Sequence, residues 1–194
     1  MTGKLVLRIS LLTLSVTAGV LGVVPDFGPC PNVKTVENFD FQRFLGKWYE
    51  AERYFSILSV GTKCSISNYT MSEEGTIRVI ESHVSTISKV ESSAIGRVEP
   101  IGKSHEAKYY VKFDAVGIPY AMPYWVLGTD YDNYAVVHSC ANIGLLSFKS
   151  VWILTRLRQP RIAVLENAYQ ILDKNQISRA YLFRTDQKNC PENH

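Results

Sequence analysis

The chain has 194 residues, of which 46% are hydrophobic and 20% charged, with 21 Lys and Arg against 18 Asp and Glu. Two of the basic residues, Lys4 and Arg8, lie in the leader described next, so the remainder is close to charge balance and lacks the clustered basic face that nucleic acid demands. That remainder is long enough for one ordinary domain to bury a core without metal staples.

In chain order, Lys4 and Arg8 precede the apolar run Ile9–Val16, and small residues including Ala18, Gly19 and Gly22 follow. This pattern predicts a cleaved signal peptide over 1–22, because the run is too short to span about 30 Å of hydrocarbon. Residues 23–194 then form a single domain. Eight β-prone runs follow: Trp48–Tyr54, Cys64–Ser72, Thr76–His83, Lys89–Val98, Ala107–Phe113, Tyr124–Tyr131, Tyr134–Cys140 and Lys149–Thr155. Glu73-Glu74-Gly75 and Asp132-Asn133 supply turn chemistry for two hairpins. After Pro160, suited to a first helical turn, Ile162, Leu165, Ala168, Tyr169 and Leu172 recur at helical spacing, and Ala180–Phe183 can form a last strand. The fold class is therefore all-β, an antiparallel sandwich or barrel with one α-helix outside, and eight strands is the number at which a closed antiparallel barrel can enclose one small ligand.

Four cysteines, Cys30, Cys64, Cys140 and Cys190, are even in number and widely spaced in a chain read as secreted, so two disulfides are expected. Spacing alone leaves three pairings open. Asn68-Tyr69-Thr70 is the one N-glycosylation sequon.

Three strings placed far apart carry the family signal: Gly46-Lys47-Trp48-Tyr49-Glu50, Gly128-Thr129-Asp130-Tyr131 and Trp152-Ile153-Leu154-Thr155-Arg156. In this order, between alternating strands, they resemble the signature regions of the lipocalins, secreted β-barrels that carry lipophilic molecules. Asn38-Phe39-Asp40, Pro123-Tyr124-Trp125 and Asn189-Cys190-Pro191 make the likeness to the apolipoprotein D branch of that family more specific. The resemblance implies an up-and-down barrel whose floor holds Trp48 under the guanidinium of Arg156, with Gly46 before it and Thr129, Asp130 and Tyr131 shaping a closed-end turn. It also implies the pairings Cys30–Cys140 and Cys64–Cys190. Relatives in that branch can carry a cysteine just after the position of Cys140, where this chain has Ala141-Asn142.

Strand alternation then sorts faces. If Arg156 points inward, so do Leu154 and Trp152, while Val151 and Ile153 face the helix. A glycan on Asn68 must project into water, which turns Tyr69 inward and Cys64 outward. The same parity groups Tyr109, Val111 and Phe113, and separately Tyr124 with Val126. With the resemblance, which places aromatic residues at Tyr69, Phe113, Tyr124 and Trp152, this predicts a ligand wall of Tyr69, Val111, Phe113, Tyr124, Trp152 and Leu154.

The loops 117–123 and 143–146, presumed to lie at the open end, are unusually apolar and suit either a lid or contact with a membrane or lipoprotein surface. Catalysis has little support: His83, His105, His138 and His194 lack metal-ligand spacing, and there is no nucleophile elbow or phosphate loop. No cofactor or metal is expected. The resemblance implies an extracellular carrier of a fatty acid, sterol or other lipid, with family associations to lipid handling and oxidative stress. The rivals are a bilin-type pigment carrier and an adhesion or signalling protein whose barrel is packed solid.

Overall fold

This computed structural model describes residues 24–56, 59–102, 106–115 and 118–191. The signal peptide expected over 1–22, with His105 and His194, lies outside them. The elements are β1 (Val24–Phe27), α1 (Phe41–Phe44), β2 (Gly46–Tyr54), β3 (Thr62–Met71), β4 (Ile77–Ser85), β5 (Glu91–Pro100), β6 (Lys108–Ala115), β7 (Ile118–Thr129), β8 (Tyr134–Ile143), β9 (Leu146–Thr155), α2 (Ile162–Lys174), a 3₁₀ turn (Arg179–Tyr181) and β10 (Leu182–Arg184). Strands β2 to β9 pair antiparallel with their neighbours in order, and β9 pairs back onto β2, which closes an eight-stranded barrel.

Closure is uneven. β2 pairs with β3 only from Gly46 to Tyr49, and beyond that point the two strands part. The C-terminal segment fills the gap: β10 pairs with Glu52–Tyr54, the Thr185 amide donates to Ala51 O at 3.0 Å, and the Cys64 amide donates to Asp186 O at 2.8 Å. Gln187 Nε2 donates to both Glu50 O (3.0 Å) and Ser65 O (2.8 Å), so one side chain bridges the split strands. Cys64–Cys190 fastens this segment to β3, and Cys30–Cys140 fastens the N-terminal stretch to β8. β1, which no sequence pattern announces, continues the sheet beside the Leu146–Lys149 end of β9, which β2 leaves unpaired.

α2 lies on the outer wall over β7 and β8, with Leu165, Ala168 and Leu172 buried against Leu127, Val136, Val151 and Ile153. Gly128 makes that approach possible, since a Cβ there would stand 2.7 Å from Ile171 Cγ1. Ile162, expected on the apolar stripe, is exposed at the first residue of the helix, and burial begins one turn later at Leu165. Pro160 precedes the N-cap Arg161 instead of sitting in the first turn. In the β7–β8 connection the left-handed residue is Tyr131 (φ 68°), where Asp132-Asn133 was the expected pair. Asp130 explains the shift: its Oδ1 accepts from the amides of Asp132, Asn133 and Tyr134, leaving Tyr131 to make the reversal. Burial alone would raise the Asp130 carboxyl, but these amide donors outweigh it and hold it below its usual value.

Candidate ligand cavity

The barrel floor is built first by α1. Asp40 caps it, its Oδ1 accepting from the amides of Gln42 (2.9 Å) and Arg43 (3.3 Å), and the single turn delivers Phe41 and Phe44 into the barrel. Phe44 stacks on Trp48 with centroids 5.0 Å apart, and Trp48 Nε1 donates to Phe44 O at 2.8 Å. Arg156 covers the other side, its guanidinium carbon 3.7 Å from the indole centroid. Its N–H groups donate to Tyr131 O, Lys47 O and Arg43 O at 2.9, 2.9 and 3.1 Å, so one side chain satisfies carbonyls from three segments at the closed end. Gly46, at φ 90°, lets the backbone turn beside Arg156 Nη1.

Above this floor lies a cavity of about 580 Å³. Its wall takes Glu50 from β2, Ser67 from β3, Glu81 from β4, Val111 and Phe113 from β6, Met122 and Tyr124 from β7, Ser139 and Ala141 from β8, and Phe148, Ser150, Trp152 and Leu154 from β9. The four β9 residues are all even-numbered, as alternation requires. A barrel packed solid is thus not what this chain forms. A second depression, on the outside around Arg158 and Arg184–Lys188, has no comparable apolar wall.

Five of the six residues predicted for the ligand wall, Val111, Phe113, Tyr124, Trp152 and Leu154, line this cavity. Tyr69 does not. It points inward but pairs with Gly46 at the closed end, where it packs against Phe41 and Phe44 and belongs to the floor. Alternation assigns a face; it leaves height along the barrel axis undetermined. The Tyr69 hydroxyl reaches up to that of Tyr124, 2.5 Å away, so the pair marks the boundary between floor and cavity. Asn68 is half-buried on the outer side of β3, between Lys47 and Ile80. Residues 118–123, expected as a loop, are the mouth-end half of β7, and Ala121, Met122 and Pro123 border the cavity. Residues 143–146 form the β8–β9 turn, with Ile143 and Leu145 exposed.

Sequence reasoning missed the cavity's carboxylates. Glu50 is compensated, accepting from Arg53 Nη1 (2.8 Å) and Thr185 Oγ1 (2.5 Å). Glu81 accepts only from Ser67 Oγ, at 2.9 Å, among the described residues. Burial pushes the Glu81 carboxyl up to about 7, and the charge of Glu50 adds to this against the hydrogen bond from Ser67. Burial likewise raises the Tyr69 and Tyr124 hydroxyls above the usual phenol range. Among the described residues no group of three or more His, Cys, Asp or Glu could hold a metal.

His138 faces away from the cavity, fully buried beside Trp125, with Nδ1 3.0 Å from Ser150 O and Nε2 unpartnered. Burial lowers it to about 4, and Lys149 contributes in the same direction. At this residue the folded state therefore binds fewer protons than the unfolded chain, and the His138 contribution to stability should fall as pH drops from about 6.5 toward 4, by on the order of 3 kcal/mol. Glu81 acts oppositely: its contribution is full below pH 4.5 and is lost as pH rises through about 7. Urea unfolding of wild type and His138→Gln at pH 7 and 4.5 separates the two. The wild type should lose more stability than the variant on acidification, and equal losses would count against a buried neutral His138.

A closed barrel with a packed aromatic floor, one open end and an apolar cavity defines a small-ligand-binding barrel. Residues 39–187 match the family model described as a lipocalin-like domain, and the chain belongs to the lipocalin family of small-ligand carriers. It is 38% identical to apolipoprotein D of Cavia porcellus over 94% of this chain and 97% of that one. It is 33% identical to the bilin-binding protein of Pieris brassicae, over 75% and 77% of the two chains. Among solved structures, insecticyanin from the tobacco hornworm Manduca sexta superposes with a TM-score of 0.79 at 25% identity, covering 87% of this chain and 91% of that one.

Proposed function

We propose that this protein is a secreted carrier that takes up one small hydrophobic molecule, a sterol, fatty acid or other lipid, in the barrel cavity, and serves lipid transport and the response to oxidative stress. The cavity carries this reading: it has the volume of a small-molecule site, and its wall is dominated by aromatic and aliphatic side chains over a floor that excludes water. At about 0.8 kcal/mol per buried methylene, desolvation alone brings a lipid to micromolar affinity. Two disulfides fit an extracellular setting, and no helix among the described residues is long and apolar enough to cross a membrane. A glycan on Asn68 belongs to the same reading, and a glycosidase-sensitive mass on the secreted protein is the expected result. Native extraction of the secreted protein followed by mass spectrometry tests it: a stoichiometric lipid is expected, and a barrel that neither retains nor rebinds any lipid would overturn it. The likeness to bilin-binding protein favours a pigment as the second reading, and a coloured preparation would select it.

The mouth has its own apolar rim. Phe27, Ile143 and Leu145 are exposed where β1 meets the β8–β9 turn, and Ile87 is exposed at the β4–β5 turn. This rim is suited to dock on a lipid or lipoprotein surface during ligand transfer. Replacing Leu145 and Ile143 by Asp should abolish co-flotation with phosphatidylcholine vesicles, and undiminished co-flotation would count against the docking role.

A further inference from the structure

Among the described residues the cavity wall carries two carboxylates, Glu50 and Glu81, and no Lys, Arg or His side chain. Arg53 and Thr185 compensate Glu50, whereas Glu81 has only the neutral Ser67 hydroxyl. Glu81 lies on the inward face of β4 next along from Val79, a floor residue, so it sits at the deep end near the linked Tyr69 and Tyr124 hydroxyls. A ligand carboxylate delivered to this depth would meet like charge, and the nearby guanidinium, Arg53, is already paired with Glu50. A protonated amine would meet an acceptor and the π-faces of nearby aromatic rings.

We propose that Glu81, Ser67 and Tyr124 form a headgroup subsite that selects amphiphiles ending in a protonated amine, whose apolar body lies against Phe113, Met122 and Trp152. The assignment rests on the carrier reading and narrows its ligand class. A buried ammonium is tolerated only when paired, and Glu81 is the one lining carboxylate whose pairing is incomplete. The groups facing Glu81 are Glu50 on β2 with its partner Arg53, Tyr69 on β3, His83 on the same face of β4, and Tyr124 on β7. The inward positions opposite it on β5, Ala94 and Gly96, are uncharged. Because the Glu81 carboxyl is held near 7, amine binding should strengthen as pH rises through neutrality, when the acid loses its proton and the amine keeps its own.

Calorimetric titration with n-decylamine, n-decanol and n-decanoate, each below its micellar concentration, on wild type and Glu81→Gln at pH 8 and 5.5 tests the assignment. At pH 8 the wild type should bind decylamine about tenfold or more tighter than decanol, and decanoate most weakly. Glu81→Gln should bring the amine-to-alcohol ratio to within about threefold of unity, at both pH values, while the wild-type ratio should shrink at pH 5.5. Decanol binding with an amine-to-alcohol ratio that Glu81→Gln leaves unchanged, or decanoate binding tighter than decylamine, would overturn the headgroup assignment alone. Failure of all three probes to bind would overturn the carrier reading and the assignment with it.

Discussion

Replacing Trp48 by Ala is expected to lower stability by about 3–5 kcal/mol, the range for removing a large buried aromatic. Trp48 is fully buried, stacked between Phe44 and the Arg156 guanidinium, with its N–H satisfied by Phe44 O. Truncation leaves a void in the floor and exposes Arg156 to an unfavourable change: its three carbonyl contacts remain, but the ring that shelters them is gone. Urea unfolding followed by far-ultraviolet circular dichroism measures the loss. Trp48→Phe should recover part of it, and a loss below about 1 kcal/mol for the alanine variant would mean that the floor is not held by this stack.

Removing Cys64–Cys190 as the double Ser variant should cost about 5 kcal/mol, the chain-entropy cost of opening a loop with a sequence separation of 126. The structural consequence is more specific than the number. The segment tied down by Cys190 is the one that fills the gap where β2 leaves β3, through Thr185, Asp186 and Gln187. Hydrogen exchange should therefore rise first at the Cys64 and Thr185 amides, which donate to Asp186 O and Ala51 O, ahead of the β5–β6 wall on the far side. Uniform acceleration over the whole barrel would show that the tail is merely stapled on and does not complete the wall.

The closed end was legible through the family resemblance, because its short strings stand in fixed chain order: Gly46 before Trp48, Thr129-Asp130-Tyr131 at one turn, Arg156 at a strand end. Alternation also assigned Leu154 and Trp152 to the cavity and Val151 and Ile153 to the helix side, as the structure places them. What failed has a common physical cause: periodicity reports a face and nothing about depth, so Tyr69 was expected in the wall although it lies in the floor. Glu81 was overlooked for a related reason. On β4 the outward Ile80 is partly exposed and the inward Glu81 is charged, so the strand's polarity runs opposite to the usual inside-outside rule. Its position two residues after Val79 was the available signal. The tail's role in the wall depends on Gln187 meeting Glu50 and Ser65 across more than a hundred residues, which no local pattern encodes.

The central claim, that this barrel holds a small hydrophobic molecule above a packed floor, is tested most directly with single-tryptophan proteins titrated with a non-fluorescent sterol. Trp152 lines the cavity, Trp48 lies beneath it, and Trp125 stands on the outer face beside His138. With the other two replaced by Phe, Trp152 should show a saturable change in emission, and Trp152→Ala should weaken sterol binding by about 1–3 kcal/mol. Trp48 and Trp125 should respond little. An equal response from Trp48 and Trp152, or none from Trp152 at saturating sterol, would contradict the account.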